Sequence, residues 1–270
     1  MPAASLKSPA WIWEPGGYQP CDSVPLSDRG FRYGMSVFES ILLRAGQPVF
    51  LREHLSRLTQ ACARCGFKFD LRGLDSLENL LRGSVSDGLA RIYVTAGDGG
   101  VSSPAEACRI FVFAEPRTPV ATDVYGRGYN LALAKEPHQP VFGGLKTANY
   151  WANIAALNEA RPKNESMLFN ADGELISACM ANVFVVQNGE IKTPELSCGA
   201  RNGVVREWVM QRRKVVECTL TVGDLAEAVG VFLTSSWIGV MPVASVEGRP
   251  MPANADADSL RVDYDKAIRS

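Results

Sequence analysis

Residues 36–46, SVFESILLRAG, mix apolar and β-branched side chains and end in a turn, which predicts a strand with PVFL (48–51) as its hairpin partner. From Arg52 to Cys65 the pattern changes. Leu55, Leu58, Ala61 and Cys62 recur at helical spacing and predict an amphipathic helix, followed by a second near 74–83. ARIYVTAG (90–97) and CRIFVFAE (108–115) alternate like paired strands, and PRTPVATD (116–123) follows with two prolines in four residues. This stretch predicts a linker between an N-terminal domain at 1–115 and a C-terminal one at 124–270. Beyond it, NLALAKE (130–136) reads as a strand and 149–160 as a helix with Tyr150, Ile154 and Leu157 on one face. Segments 166–170, 174–178 and 182–188 read as a short antiparallel set, and 203–213 as a helix turning Val205, Trp208 and Val209 inward. Strands at 230–236 and 240–248 complete the pattern. Strands and helices mix without regular βαβ units, and no G-x-G-x-x-G follows a strand, so a Rossmann-type dinucleotide domain is not expected.

Composition narrows the class. The 270 residues allow one large domain or two small ones, and 46% hydrophobic with 21% charged residues is ordinary for a globular chain. A net charge of −1 gives no electrostatic case for nucleic acid or a membrane surface. No apolar run is long enough to span a bilayer. The first 17 residues lack the basic-then-apolar order of a secretory signal, so a cytoplasmic setting is expected. Two histidines, His54 and His138, exclude a multi-histidine metal site, and no metal is expected. Seven scattered cysteines argue against a disulfide framework, and Cys62-x-x-Cys65 reads as small apolar helix positions.

Of eight lysines, Lys146 in VFGGLKTANYW is the one set in uncharged, aromatic-flanked sequence. A desolvated lysine becomes a neutral amine able to attack a carbonyl, which makes Lys146 a Schiff-base candidate; the alternative is a surface lysine in a glycine loop. Gly203 opens a helix whose Val204 and Val205 amides can face an anion, and Thr234, Ser235 and Ser236 close a strand with further donors. With Arg57 on the first helix, these residues sketch one ligand, an aldehyde carrying a phosphate: pyridoxal 5'-phosphate.

The same segments resemble the class IV aminotransferases, the fold-type IV pyridoxal-phosphate enzymes, nearly end to end. DRGFRYGMSVFES (28–40) is similar to that family's opening, HLSRL (54–58) to its H-x-x-R-L, and LKTANYWANIAALNEA (145–160) to its K-x-x-N-Y block. LISACMANVFVV (175–186), TPELSCGARNGVVRE (193–207) and VFLTSSWIGVMPV (231–243) continue the resemblance in order. It implies an α/β chain of the α+β type, with a small N-terminal α/β domain, a C-terminal domain with a barrel-like sheet, and a homodimer. It also implies a Schiff base on Lys146, a phosphate held by Arg57, Gly203, Val204, Val205, Ser236 and Trp237, and ring or strand contacts from Ser177, Asn182 and Arg201. Tyr33, Phe38 and Arg201 are implied on the side of an amine or amino-acid substrate.

Three positions depart from the family pattern. Ser177 stands where the family carries the glutamate that meets the pyridine nitrogen, with Glu174 as a nearby substitute. Arg201 replaces an apolar residue, and Ala96 replaces the arginine of a T-R-G turn. The I-G-V-M-P-V tail resembles the aminodeoxychorismate lyases of the family, whereas G-M-S-V-F-E-S resembles branched-chain aminotransferases. A lyase releasing pyruvate and p-aminobenzoate is the leading expectation. An aminotransferase for a branched-chain or D-amino acid is the alternative, and a cofactor-free, non-catalytic homologue is a third.

Overall fold

The structure, a computed structural model, describes residues 8–140 and 142–269, so the first seven residues, on which the absence of a signal is partly read, lie outside the described residues. The described residues form two compact units, one of 8–119 with Lys146–Ala148, the other of 120–140, 142–145 and 149–269.

In the first unit the order is β1 (Ala10–Glu14), β2 (Gly17–Pro20), α1 (Arg29–Tyr33), β3 (Ser36–Arg44), β4 (Gln47–Pro48), α2 (Leu51–Arg64), α3 (Arg72–Asp75), α4 (Leu77–Leu81), β5 (Gly88–Thr95) and β6 (Arg109–Pro116). The strands form one antiparallel sheet, β2-β1-β6-β5-β3-β4. Strand β3 is buried along most of its length, as its apolar run requires. Its hairpin partner is only two residues long. Phe50 adopts the left-handed conformation (φ 52°) and turns the chain straight into α2, so residues 49–51 do not extend the strand as expected. The buried stripe of α2 is His54, Leu58, Ala61 and Cys62; Leu55 lies at its margin, and a histidine takes the place that hydrophobicity alone gives to leucine. Burial pushes the Cys62 thiol up to about 12, which leaves it protonated and inert. The predicted helix at 74–83 is two short helices, α3 and α4.

The second unit contains α5 (Thr122–Arg127), β7 (Tyr129–Leu133), α6 (Trp151–Glu159), β8 (Glu165–Phe169), β9 (Leu175–Ala178), β10 (Asn182–Gln187), β11 (Glu190–Pro194), α7 (Val204–Met210), β12 (Val215–Cys218), α8 (Val222–Glu227), β13 (Gly230–Ser235), β14 (Gly239–Val246), β15 (Arg249–Pro250) and α9 (Ala255–Ala267). Its sheet runs β12-β11-β10-β13-β14-β7-β8-β9, with β15 on β14. The Leu175 amide of β9 donates to the Leu220 carbonyl just past β12 at 2.7 Å, so the two ends of the path meet and the sheet curls barrel-like around its core. Leu131, Met167, Val183, Val231, Leu233 and Met241 form the middle of that core.

One expectation changes here. Strands β8 and β9 form a hairpin, but β10 leaves it to pair with β11 and β13, so 166–188 is not a simple antiparallel set. On helix α6 the face shared by Ile154 and Leu157, with Tyr150 as the N-cap, is only partly covered: Ile154 is 41% exposed. The side chain it buries is Asn153, whose Nδ2 donates to the Cys179 carbonyl at 2.9 Å. A polar tether to a strand end, not an apolar stripe, fixes this helix. In α7, by contrast, Val205, Trp208 and Val209 are buried as their spacing predicts.

Candidate active site

In the first unit the site is built on β3. The Phe38 amide donates to the Lys146 carbonyl at 2.8 Å and the Ala148 amide to the Ser36 carbonyl at 3.0 Å, with Val37 bridging Thr147. Lys146 is therefore pinned by backbone hydrogen bonds along the open side of β3, where the two-residue β4 does not reach. Its Nζ lies 4.1 Å from the centroid of the Phe38 ring, and that ring stacks on Tyr93 at 5.0 Å.

The next residue of β3, Glu39, is 1% exposed and fully engaged. Arg57 Nε donates to Oε1 at 2.7 Å and Nη2 to Oε2 at 2.6 Å, a two-point fork, while His54 Nδ1 meets Oε2 at 2.8 Å. Burial alone would raise the Glu39 carboxyl, but the Arg57 charge and the hydrogen bonds from Arg57 and His54 outweigh it and hold the group well below the usual carboxylate range. His54 is pushed down, first by burial, so its imidazole is neutral near pH 7 and its Nδ1–H is the donor to Glu39. The three side chains fix the direction in which the Arg57 guanidinium points.

Tyr33, at the end of α1, is 40% exposed and carries the Arg32 guanidinium 4.9 Å from its ring centroid. Phe38 is buried under Lys146 rather than open to solvent. At Ala96 the backbone is set by Arg29, a buried side chain that donates to the carbonyls of Ala96, Gly97, Ser103 and Pro104. Arg109 does not take over the missing arginine's place, since it is paired with Asp28 at 3.0 Å and with Asp98.

In the second unit Asn182 opens β10 opposite Thr234 of β13. Its Nδ2 donates to the Arg201 carbonyl at 2.7 Å, and its Oδ1 lies 2.0 Å from where a Cβ on Gly203 would stand. Only a bare Cα fits there. Gly203 then starts α7 with no side-chain cap, leaving the Val204 and Val205 amides at the head of the helix. The Thr234 hydroxyl is buried without a partner among the described residues. After it, Ser236 and Trp237 lie in a turn tied by the Ile238 amide to Ser235 Oγ at 3.4 Å. Ser177 is half-buried on β9, opposite Leu168. Glu174 is occupied at the hairpin turn, where its Oε2 accepts from Asn170 Nδ2 at 2.7 Å. Arg201 donates from Nη1 to the Tyr150 hydroxyl at 2.9 Å.

Sequence reasoning misses the roles of Glu39 and Tyr150, although both lie inside the motifs it uses. It also misses Glu165, which is 5% exposed, accepts the Met180 amide at 3.2 Å, and has an Oε2 with no partner among the described residues. Burial pushes Glu165 up to about 7. A buried carboxyl raised in this way binds its proton more tightly in the folded state. Stability should therefore fall as pH rises from about 4.5 to about 7, by on the order of 3 kcal/mol, and then level off. Glu165→Gln should remove that slope, which urea midpoints measured across the range will show; an unchanged slope means another group titrates.

The sequence profile of the family described as Amino-transferase class IV matches residues 36–246. A Methanocaldococcus jannaschii protein named for branched-chain-amino-acid aminotransferase activity is 28% identical over 240 residues, 84% of this chain and 83% of its own length. The crystal structure of 4-amino-4-deoxychorismate lyase from Pseudomonas aeruginosa superposes with a TM-score of 0.85 at 25% identity, covering 94% of this chain and 97% of that one. A branched-chain amino acid aminotransferase from T.th., solved with pyridoxamine 5'-phosphate, gives a TM-score of 0.84 at 22% identity over 96% of this chain and 94% of its own.

Proposed function

The chain belongs to the class IV aminotransferase family of pyridoxal-phosphate-dependent enzymes, and on that premise we propose that Lys146 is the lysine that binds the cofactor's aldehyde and that the reaction is an aminodeoxychorismate lyase-like elimination of pyruvate. The observation that carries the first half is the pinning of Lys146 along β3, next to the residue that orients Arg57.

The side chains present suit the cofactor. A phosphate needs donors without acceptors of their own, and Thr234 has a buried, unbonded hydroxyl beside the uncapped helix start at Gly203. Arg57, the Val204 and Val205 amides, and Ser236 with Trp237 would hold the phosphate; Asn182 keeps the Gly203 turn in shape. Ser177 would meet the pyridine nitrogen. When bound, the group supplies an aldehyde that condenses with amines and a ring that accepts the electrons of a broken bond. Lys146 Nζ would also be the base that takes and returns the proton at the substrate's reacting carbon. Glu39 and His54, which fix Arg57, would keep its guanidinium turned to the phosphate, and the Phe38 ring would lie under the lysine.

Two features favour elimination over amino transfer. A hydroxyl at Ser177 would bond a ring nitrogen without enforcing its protonation, and Glu174 is committed to Asn170. Elimination that ends in an aromatic ring tolerates a weaker electron sink than full transamination does. Amino transfer from a branched-chain or D-amino acid is the second reading, favoured by the likeness to the Methanocaldococcus protein. A homodimer belongs to the same proposal, because Trp151 on α6 is 84% exposed and a second copy would cover it. No described helix is long and apolar enough to cross a membrane.

The test is direct. Protein loaded with pyridoxal phosphate should show an absorption band above that of the free aldehyde, and borohydride should fix the cofactor covalently on Lys146. With aminodeoxychorismate it should release p-aminobenzoate and pyruvate. Absence of the Lys146 adduct overturns the cofactor reading. Amino transfer to 2-oxoglutarate without p-aminobenzoate replaces the lyase with the aminotransferase.

A further inference from the structure

We propose that Arg201, held by Tyr150, is a carboxylate receptor that makes the site prefer amino substrates carrying a second acid group over those with apolar side chains. This rests on the cofactor reading given above and names the class of substrate that site would take.

Arginines in this unit have different partners. Arg206, five residues along, is 2% exposed and neutralised by Glu217 at 2.6 Å. Arg201 has no carboxylate within ion-pair distance among the described residues. Its one side-chain hydrogen bond there runs from Nη1 to the Tyr150 hydroxyl at 2.9 Å, and the guanidinium lies 5.8 Å from the centroid of the same ring. Its Nε is buried without an acceptor among the described residues. The other titratable group that faces it brings no negative charge: burial and Arg201 itself hold His138 below its ordinary value, so that imidazole is neutral near pH 7. What remains is a permanent cation, half-buried, answered among the described residues only by a neutral phenol.

The group is also fixed in place. Its carbonyl is held by Asn182 at 2.7 Å, and the Ala200 carbonyl before it packs so close to Gly144 that a Cβ there would lie 2.7 Å away. This is not a solvated arm on the surface. Tyr150 follows Lys146 by four residues in the chain.

An uncompensated guanidinium discriminates in both directions. A carboxylate matches its planar fork and replaces the water it has lost. A leucine or valine side chain pressed on it would strip more water and return nothing, a penalty built against branched-chain substrates. The Tyr150 hydroxyl, accepting from Nη1, holds the fork in one orientation and acts as its positioning residue.

Binding of two unreactive acids to the cofactor-loaded protein tests this: glutarate, with two carboxylates, and butyrate, with one, each titrated calorimetrically. Glutarate should bind the wild type more tightly than butyrate. Arg201→Leu should weaken glutarate by about 10-fold or more and leave butyrate within about 2-fold, with Arg201→Lys between. Tyr150→Phe, which frees the fork but keeps the charge, should weaken glutarate less than Arg201→Leu does. Equal weakening of both acids by Arg201→Leu, no change in either, or no preference in the wild type overturns the proposal. If borohydride still fixes the cofactor on Lys146 in that case, the cofactor reading survives. Selective glutarate binding without the adduct leaves the receptor standing and removes the cofactor reading instead.

Discussion

Replacing Glu39 by alanine is expected to destabilise the first unit by about 3 kcal/mol and to weaken retention of pyridoxal phosphate at the same time. Arg57 commits Nε and Nη2 to that one carboxylate, and the neutral His54 donates its Nδ1–H to it. Removing it leaves a guanidinium with 22% exposure facing a hole, and an imidazole whose Nδ1–H has lost its acceptor. Loss of one partner of a buried pair is far more damaging than loss of both. The double variant Glu39→Ala/Arg57→Ala should therefore be more stable than the sum of the single effects predicts. The pH dependence separates this account from simple cavity formation. The folded-state carboxyl lies below its unfolded value, so the stability it contributes is present above the unfolded value and is lost as pH falls toward the folded one. In Arg57→Ala, burial is no longer outweighed. Glu39 should then rise, and its contribution to the slope between about pH 3 and 7 should change sign. Urea unfolding of the four proteins across that range measures both effects. Additive losses with parallel pH profiles would show that the fork between Glu39 and Arg57 does not hold this region together.

The chain is unevenly legible for physical reasons. Strands β5, β6, β13 and β14 and helix α7 stand out because each buries an apolar run or stripe, and burial is what periodicity records. Helix α6 is visible in the sequence but its inward face is not, since its anchor is Asn153, a polar residue that hydrophobic periodicity does not count. The first hairpin, β1–β2, gives little signal because its residues are mostly half-buried and so do not alternate cleanly. The curl of the second sheet depends on the Leu175–Leu220 hydrogen bond between distant segments, which no local pattern carries.

The candidate site divides in the same way. Lys146 can be picked out by composition, but not the backbone pairing with β3 that fixes it. Arg57 can be placed on the polar side of α2, but no spacing in the sequence links it to its partner Glu39, a carboxylate of β3 that is 1% exposed. A buried charge looks like a surface charge until its partners are known. Gly203 can be read as a helix start; the reason it must be glycine lies in Asn182, twenty-one residues earlier.

That contact supports the second large effect. Gly203→Ala should lower cofactor affinity by about 10- to 100-fold and stability by about 1–3 kcal/mol, although the helix it opens favours alanine elsewhere. The backbone there has φ −73° and ψ 142°, values any residue adopts, so strain of the main chain is not the cause. The cause is space: an alanine Cβ would stand 2.0 Å from Asn182 Oδ1 and 3.2 Å from its Cγ. The amide must move, and with it goes the 2.7 Å bond from Nδ2 to the Arg201 carbonyl that holds the turn before α7. Both Arg201 and the Val204 and Val205 amides are then displaced by a substitution that touches neither. Removing the obstacle should undo the damage. Asn182→Gly alone loses the clamp and should cost a moderate amount, whereas Gly203→Ala/Asn182→Gly should be no worse than Asn182→Gly. Fluorescence titration with pyridoxal phosphate and urea unfolding of the three variants decide the matter. A double variant that carries the full loss of both single changes would show that Gly203 is required for something other than room beside Asn182, such as direct approach of an anion to the bare helix start.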